Sequence, residues 1–311
     1  MRNTARRTER NSLWAIVALW LAGSAWASDA GADEAAVERG AYLARAGGCH
    51  ACHKADGSGG VKVATPFGAL IAPNITPDRD HGIGRWSEAQ FVAAMREGRA
   101  TTGVRYYPGF PYTAYSGLTD ADLADLWAYL QAQPPLAVPS QPHALAFPFD
   151  QRLSSLAWQV MFFAPEPFAP DPQRSAAWNR GRYLSEHLLH CRECHTPRNA
   201  LGGLVDSLAY AGNQDWPAGG TVPNITSDPA TGIGTWNDND IVWLLRTGFT
   251  PDGNDVQGTM AELIEHGSQH LSEEDLRAVA DYILALEPID HEIRREDETA
   301  SGSDSYREKD W

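Results

Sequence analysis

Cys49-His50-Ala51-Cys52-His53 returns later in the chain as Cys191-Arg192-Glu193-Cys194-His195, and the two stretches use all four cysteines of the 311 residues. Both read C-x-x-C-H, the pattern of covalent c-type haem attachment. The spacing is mechanical. Two thiols three positions apart on a helical turn can form thioethers with both vinyl groups, and the next imidazole then lies under the iron as proximal ligand. C-x-x-C alone also serves redox disulfides and four-cysteine metal sites, but neither use explains a histidine directly after each pair. Cys49, Cys52 and His53, with Cys191, Cys194 and His195, are therefore the candidate attachment and iron-ligating residues for two haems.

Working outward, Arg39-Gly40-Ala41-Tyr42-Leu43 stands before the first stretch and Arg180-Gly181-Arg182-Tyr183-Leu184 before the second. Pro73-Asn74-Ile75-Thr76 recurs as Pro223-Asn224-Ile225-Thr226, and Gly82-Ile83-Gly84 with Trp86 recurs as Gly232-Ile233-Gly234 with Trp236, each 150 positions on. Such self-similarity means one unit built twice, over residues 34–133 and 176–287.

Helix ends are written into both copies. Ser87 with Gln90, and Asn237 with Asp240, cap a helix that stops at Gly98 and Gly248. A last helix starts at Thr119 with Asp122 and at Ser272 with Asp275, a capping box with Asp in place of Glu. Leu123, Leu126, Trp127 and Leu130, like Leu276, Val279, Ile283 and Leu286, recur at helical spacing and mark core faces. The expectation is an all-α fold in which each copy wraps a haem, whose apolar surface supplements what about 100 residues can bury.

Residues 134–175 are proline-rich at both ends, with an apolar stretch from Leu153 to Phe163 between them. We expect a short helix there, with Trp158, Phe162 and Phe163 packing across both copies. A partner-docking surface is the competing reading, since it would leave those aromatics exposed.

Compartment follows from the N-terminus. Arg2, Arg6, Arg7 and Arg10 precede an apolar run from Leu13 to Ala22 and then Ala25-Trp26-Ala27, the layout of a secretory signal peptide over residues 1–27. The run is short for a membrane span, although an uncleaved anchor shares the pattern. The net charge of −15 falls to −18 once those four arginines and one glutamate are removed. Nucleic acid is an unsuitable partner for such a surface, whereas a basic redox partner met by electrostatic steering suits it. Acidic residues crowd the segment 288–311, which reads as a disordered tail.

The paired CxxCH, PNIT and GIGxW motifs, with DPQRSAAWNRG and CRECHTPRNALGG, resemble the cytochrome c subunits of bacterial periplasmic dehydrogenases, among them those of quinoprotein alcohol and flavoprotein gluconate dehydrogenases. The resemblance covers roughly residues 34–287. It implies two tandem class I cytochrome c-like domains carrying two covalent haem c groups. It also implies electron transfer from a dehydrogenase catalytic subunit toward the respiratory chain. Many members continue into a third haem domain and a membrane anchor, where this chain has its acidic tail.

The resemblance further implies a sixth ligand. Met260, 65 residues after His195 in Gly258-Thr259-Met260, matches the family's axial methionine. In the first copy the 150-residue offset lands on Phe110, and the count from His53 lands on Leu118; neither side chain binds iron. Met95, His81 and the tyrosines 106, 107, 112 and 115 are the remaining candidates, each with an ordinary packing or turn role beside it. The favoured reading leaves the first iron without a side-chain sixth ligand. An open iron brings a rival function, a haem enzyme or small-ligand binder acting on peroxide or a sulfur compound, with Arg99 and Arg105 the nearest charged groups. Finally, Asn74, Thr76, Trp86, Asn224, Thr226 and Trp236 are expected to donate to haem propionates, with turn chemistry the other reading of the Asn and Thr pairs.

Overall fold

In the computed structural model, residues 34–217 and 220–294 are described. The signal peptide expected over 1–27 and the tail from 295 on lie outside them. The first copy contains α1 (34–46), α2 (Cys49–His53), β1 (Lys62–Thr65), β2 (Gly68–Ile71), α3 (Glu88–Glu97), α4 (Tyr112–Tyr115) and α5 (Asp120–Gln131). β3 (Ala144–Leu145) and α6 (Arg152–Phe162) follow. The second copy contains α7 (Ala176–Tyr183), which runs into a π-helical turn at Leu184–Leu188, then α8 (Cys191–His195), α9 (Asp238–Thr247), α10 (Gly258–His266) and α11 (Glu273–Leu284). Buried apolar side chains of the two copies join in one cluster, from Leu43 and Phe91 to Leu184 and Ile283.

The all-α expectation needs correcting, because β1, β2 and β3 form a small antiparallel sheet in that order. Its hairpin pairs Thr65 with Gly68, where φ is 125° and a side chain would meet the Ala144 carbonyl. β3 belongs to the stretch expected to link the copies, so residues up to Leu145 fold back onto the first copy. The tail is corrected in the same way. Ile289 donates to Thr226 Oγ1 at 3.2 Å, and Arg294 and Gln214 exchange hydrogen bonds at 2.8 and 2.9 Å, so the segment to 294 is fastened to the second copy.

α6 touches both copies. Ser155 Oγ donates to the Arg105 carbonyl (3.0 Å) and Gln159 to that of Glu97 (3.2 Å), while Phe163 meets Tyr112 edge-on with centroids 5.0 Å apart. On the other flank a side chain at Gly203 would strike the Phe162 ring. The helix is inverted: polar Ser155 and Gln159 face inward, and Leu153, Leu156, Val160 and Met161 face out, 73%, 41%, 79% and 55% exposed.

The predicted helix starts explain how the copies join. Ser87 and Asn237 close reciprocal capping boxes with Gln90 and Asp240. Thr119 and Ser272 cap α5 and α11, but Asp122 and Asp275 do not reach back to the cap backbone. A tyrosine of the opposite copy takes that place. The Tyr183 hydroxyl accepts the Thr119 N–H (3.1 Å) and donates to Asp122; the Tyr42 hydroxyl accepts the Ser272 N–H (3.2 Å) and donates to Asp275 (2.6 Å). Each box is thus completed in trans, in a reciprocal arrangement typical of two-fold interfaces.

Asp275 also receives both arms of the Arg180 guanidinium at 2.8 Å. Burial works to raise its carboxyl, and the Arg180 fork with the Tyr42 hydroxyl outweighs it, so the folded carboxyl is held below the usual aspartate range. A group depressed in this way contributes stability that is complete above its unfolded pKa and is lost as pH falls through the folded one. Urea unfolding from about pH 5 to about pH 2 should therefore show a loss of stability below about pH 4 that Asp275→Asn flattens. An equal slope in the variant would contradict this assignment.

Candidate haem sites

Each attachment stretch is a single helical turn entered from left-handed backbone, at Gly48 (φ 67°) before α2 and at His190 (φ 45°) before α8. All four cysteines are free. Burial pushes the Cys49, Cys191 and Cys194 thiols up to about 12 and raises Cys52 as well, so all four are held as S–H groups. His53 Nδ1 lies 2.8 Å from the Pro73 carbonyl and His195 Nδ1 2.9 Å from that of Pro223. A carbonyl only accepts, so Nδ1 carries the hydrogen and Nε2 keeps its lone pair for a metal. Burial holds both imidazoles below the usual histidine range, which keeps them neutral.

Among the described residues no cluster of three or more His, Cys, Asp or Glu side chains is arranged to hold a bare metal ion. The donor set fits covalent haem instead: a pair of thiols on one turn and an imidazole with Nε2 free, twice over. The second copy also buries the Ser185 hydroxyl without a hydrogen-bond partner among the described residues, and the Tyr210 ring meets that of Tyr282 edge-on at 6.3 Å. The Tyr210 N–H is held by Thr196 Oγ1 at 3.0 Å, next to His195.

The Asn and Thr pairs do different work from that expected. Asn74 spends both amide hydrogens on the carbonyls of Leu136 (2.8 Å) and Val138 (3.0 Å), and Thr76 Oγ1 donates to Asn74 Oδ1 (2.7 Å). Asn224 gives its amide to Thr231 Oγ1 (3.0 Å) and the Ile289 carbonyl (2.8 Å), and Thr226 repeats the bond of Thr76. The four side chains are buried and pin the segment that leaves the last helix of each copy. No amide hydrogen remains for a propionate, and the turn reading is the one the geometry follows. Trp86 and Trp236 are half-buried against the core.

The distal candidates scatter. Leu118 is 1% exposed in the core, with its carbonyl bound by Arg96. Phe110 packs between Tyr106 and Tyr115, each 5.7 Å away. Met95 is buried in α3, His81 is exposed in its turn, and Arg99 and Arg105 pair across an isolated bridge with Arg99 held by Glu97. In the second copy Met260 sits half-buried in the first turn of α10.

The two sites approach one another. α10 packs on α2, with Leu263 3.5 Å from where a Gly48 side chain would begin. α4 packs on the π-helical turn, where His187 Nδ1 lies 2.8 Å from the Ala114 carbonyl. Thr113 Oγ1 donates to Glu193 (2.5 Å), which Arg198 also engages (2.5 Å). Two residues not singled out from the sequence stand out here. His190 and Tyr210 adopt positive φ where the first copy uses Gly48 and Gly57. Laying one C-x-x-C-H on the other places His190 opposite Gly48, so the first was within reach of the sequence.

Helices gathered around repeated pairs of thiols with an oriented imidazole define a haem-attaching protein. The cytochrome c family matches residues 37–134. A diheme cytochrome c-type protein of Cereibacter sphaeroides is 41% identical over 268 residues, 82% of this chain and 87% of that protein. This chain belongs to the cytochrome c family. It is also 41% identical over 266 residues to the fructose dehydrogenase cytochrome subunit of Gluconobacter japonicus, 83% of this chain. One of the subunits of the nicotinate dehydrogenase of Pseudomonas putida is 40% identical over 261 residues, 81% of this chain. The chain spans 54% and 21% of those two proteins.

Proposed function

We propose that this protein is a periplasmic electron carrier with two haem c groups, receiving electrons from a dehydrogenase catalytic subunit and passing them toward the respiratory chain. The carrying observation is the repeated ligand set, in which Pro73 and Pro223 fix the same tautomer on His53 and His195. The relatives that are dehydrogenase cytochrome subunits support the choice of donor, and the acidic surface suits steering toward a basic partner. Haem iron supplies a one-electron ferric–ferrous couple.

The chain's own residues set the difference between the two centres. Met260 offers a thioether as sixth ligand at the second site, which favours the reduced state. Phe110 and Leu118 stand at the corresponding places of the first copy and offer none, so the first iron lacks a side-chain sixth ligand. The first potential is then the lower one, and electrons run from the first copy to the second. Trp86 and Trp236 remain the proposed propionate donors.

Electron paramagnetic resonance of the ferric protein, with a redox titration, tests this reading. One high-spin and one low-spin centre are expected, the low-spin one titrating at the higher potential. Two low-spin centres would overturn the open first iron, and the reverse order of potentials would overturn the direction.

A further inference from the structure

His190 occupies a backbone position that the first copy fills with glycine. It precedes Cys191 with φ 45° and ψ 38°, and Gly48 precedes Cys49 with φ 67° and ψ 23°. Left-handed backbone is strained for a residue with a Cβ, and such strain persists where surrounding structure and function hold it. The conformation sends the imidazole across the boundary between the copies. Its ring meets that of Tyr115 edge-on, with centroids 5.9 Å apart and planes at 74°. Tyr115 is 7% exposed and belongs to the buried cluster against which Cys49 packs. One ring therefore shares a packed cluster with the first attachment pair, and the other is bonded through the backbone to the second.

The neighbouring chain holds this contact in place. The π-helical turn at Leu184–Leu188 departs from the α-helical ladder just before His190, a device common at functional sites. It delivers His187 to the Ala114 carbonyl one residue from Tyr115, where Gly117 leaves room: a Cβ there would lie 2.0 Å from the His187 ring. The mirrored position has no ring, because it is Gly48, where a Cβ would lie 3.5 Å from Leu263.

We propose that His190 and Tyr115 form the packed contact that couples the two haem sites electronically, with His190 held in left-handed backbone for that purpose. The event served is a transfer of one electron, lost at one iron and gained at the other, with no bond or proton changed. This rests on the di-haem reading above. Both residues are positioning residues and ligate nothing.

The test measures inter-haem electron equilibration by pulse radiolysis of the full-length holoprotein, beside a redox titration and urea unfolding of each variant. His190→Gly relieves the strained backbone, so its unfolding midpoint is expected to be no lower than that of the native protein. A purely structural role predicts a fall. Its inter-haem rate is expected to drop about ten-fold with both potentials unmoved, since atoms that pack the space between centres are gone. Tyr115→Leu should slow the rate likewise, and Tyr115→Phe, which keeps the ring, should stay within about two-fold. Native rates in both His190→Gly and Tyr115→Leu, or slowing explained by shifted potentials, overturn the proposal. A native protein that titrates as a single haem overturns the di-haem reading instead.

Discussion

Alanine at both Cys191 and Cys194 is expected to leave a protein with one covalent haem instead of two. Each thioether depends on a sulfur that shares a turn with its partner and precedes the ligating histidine. α8 is only five residues long, with no neighbouring cysteine to substitute. The first site has its own turn, its own Pro73 carbonyl and its own His53, so it should load unaided. Pyridine haemochrome absorbance per chain, with haem staining after denaturing electrophoresis, reads the outcome. Retention of two covalent haems, or loss of both, would contradict the independence of the sites. The double variant should also be less stable, because the second copy loses the apolar surface that the haem contributes to a small core.

Gly181→Ala is expected to destabilise the folded chain by about 3 kcal/mol. Alanine in a helix interior ordinarily stabilises by about 1 kcal/mol relative to glycine, so both sign and size are diagnostic. The reason is where α7 crosses α11: a Cβ on Gly181 would lie 1.8 Å from the Ala278 carbonyl oxygen. Backbone cannot swing aside as a side chain can, so the two helices must separate. Gly40 makes the equivalent crossing between α1 and α5, with a Cβ position 1.9 Å from the Asp125 oxygen. Gly40→Ala should cost a similar amount. Urea unfolding of the two variants checks this, and a stabilising effect at either position would disprove the close crossing. Gly103→Ala meets nothing within 4 Å and carries only the strain of its left-handed φ of 83°, so it should cost less than either crossing variant.

The legible parts of the chain were those whose meaning is local. C-x-x-C-H needs one turn of helix. The N-caps at Ser87, Asn237, Thr119 and Ser272 need only the next three residues and all four form, although only those at Ser87 and Asn237 close the reciprocal box locally. The repeated Pro-Asn-Ile-Thr was visible as a repeat, but its work was not. Pro73 and Pro223 act on histidines 20 and 28 positions earlier, while Asn74 and Asn224 act on segments 62 to 65 positions later. Pattern reading assigned the polar residues to the cofactor because it could not see that a returning strand of chain would take their hydrogens first. The short strands escaped for a similar reason. Four-residue stretches such as Lys62–Thr65 carry too little periodicity to register, and β3 is two residues long.

By itself the sequence marked the repeated motifs, the two C-x-x-C-H stretches with their histidines as candidate haem sites, and Phe110 and Leu118 as the places where the family resemblance implies a methionine. The C-x-x-C-H stretches follow from residue chemistry at fixed short spacing, and the missing methionine from the resemblance to dehydrogenase cytochrome subunits. Only the tertiary structure decided how the copies meet: Tyr42 and Tyr183 complete each other's helix caps, α6 turns its polar side inward, and His190 reaches Tyr115. Those contacts join residues up to 233 positions apart, and no local pattern specifies which distant partner will satisfy a buried hydroxyl or fill the space beside a glycine.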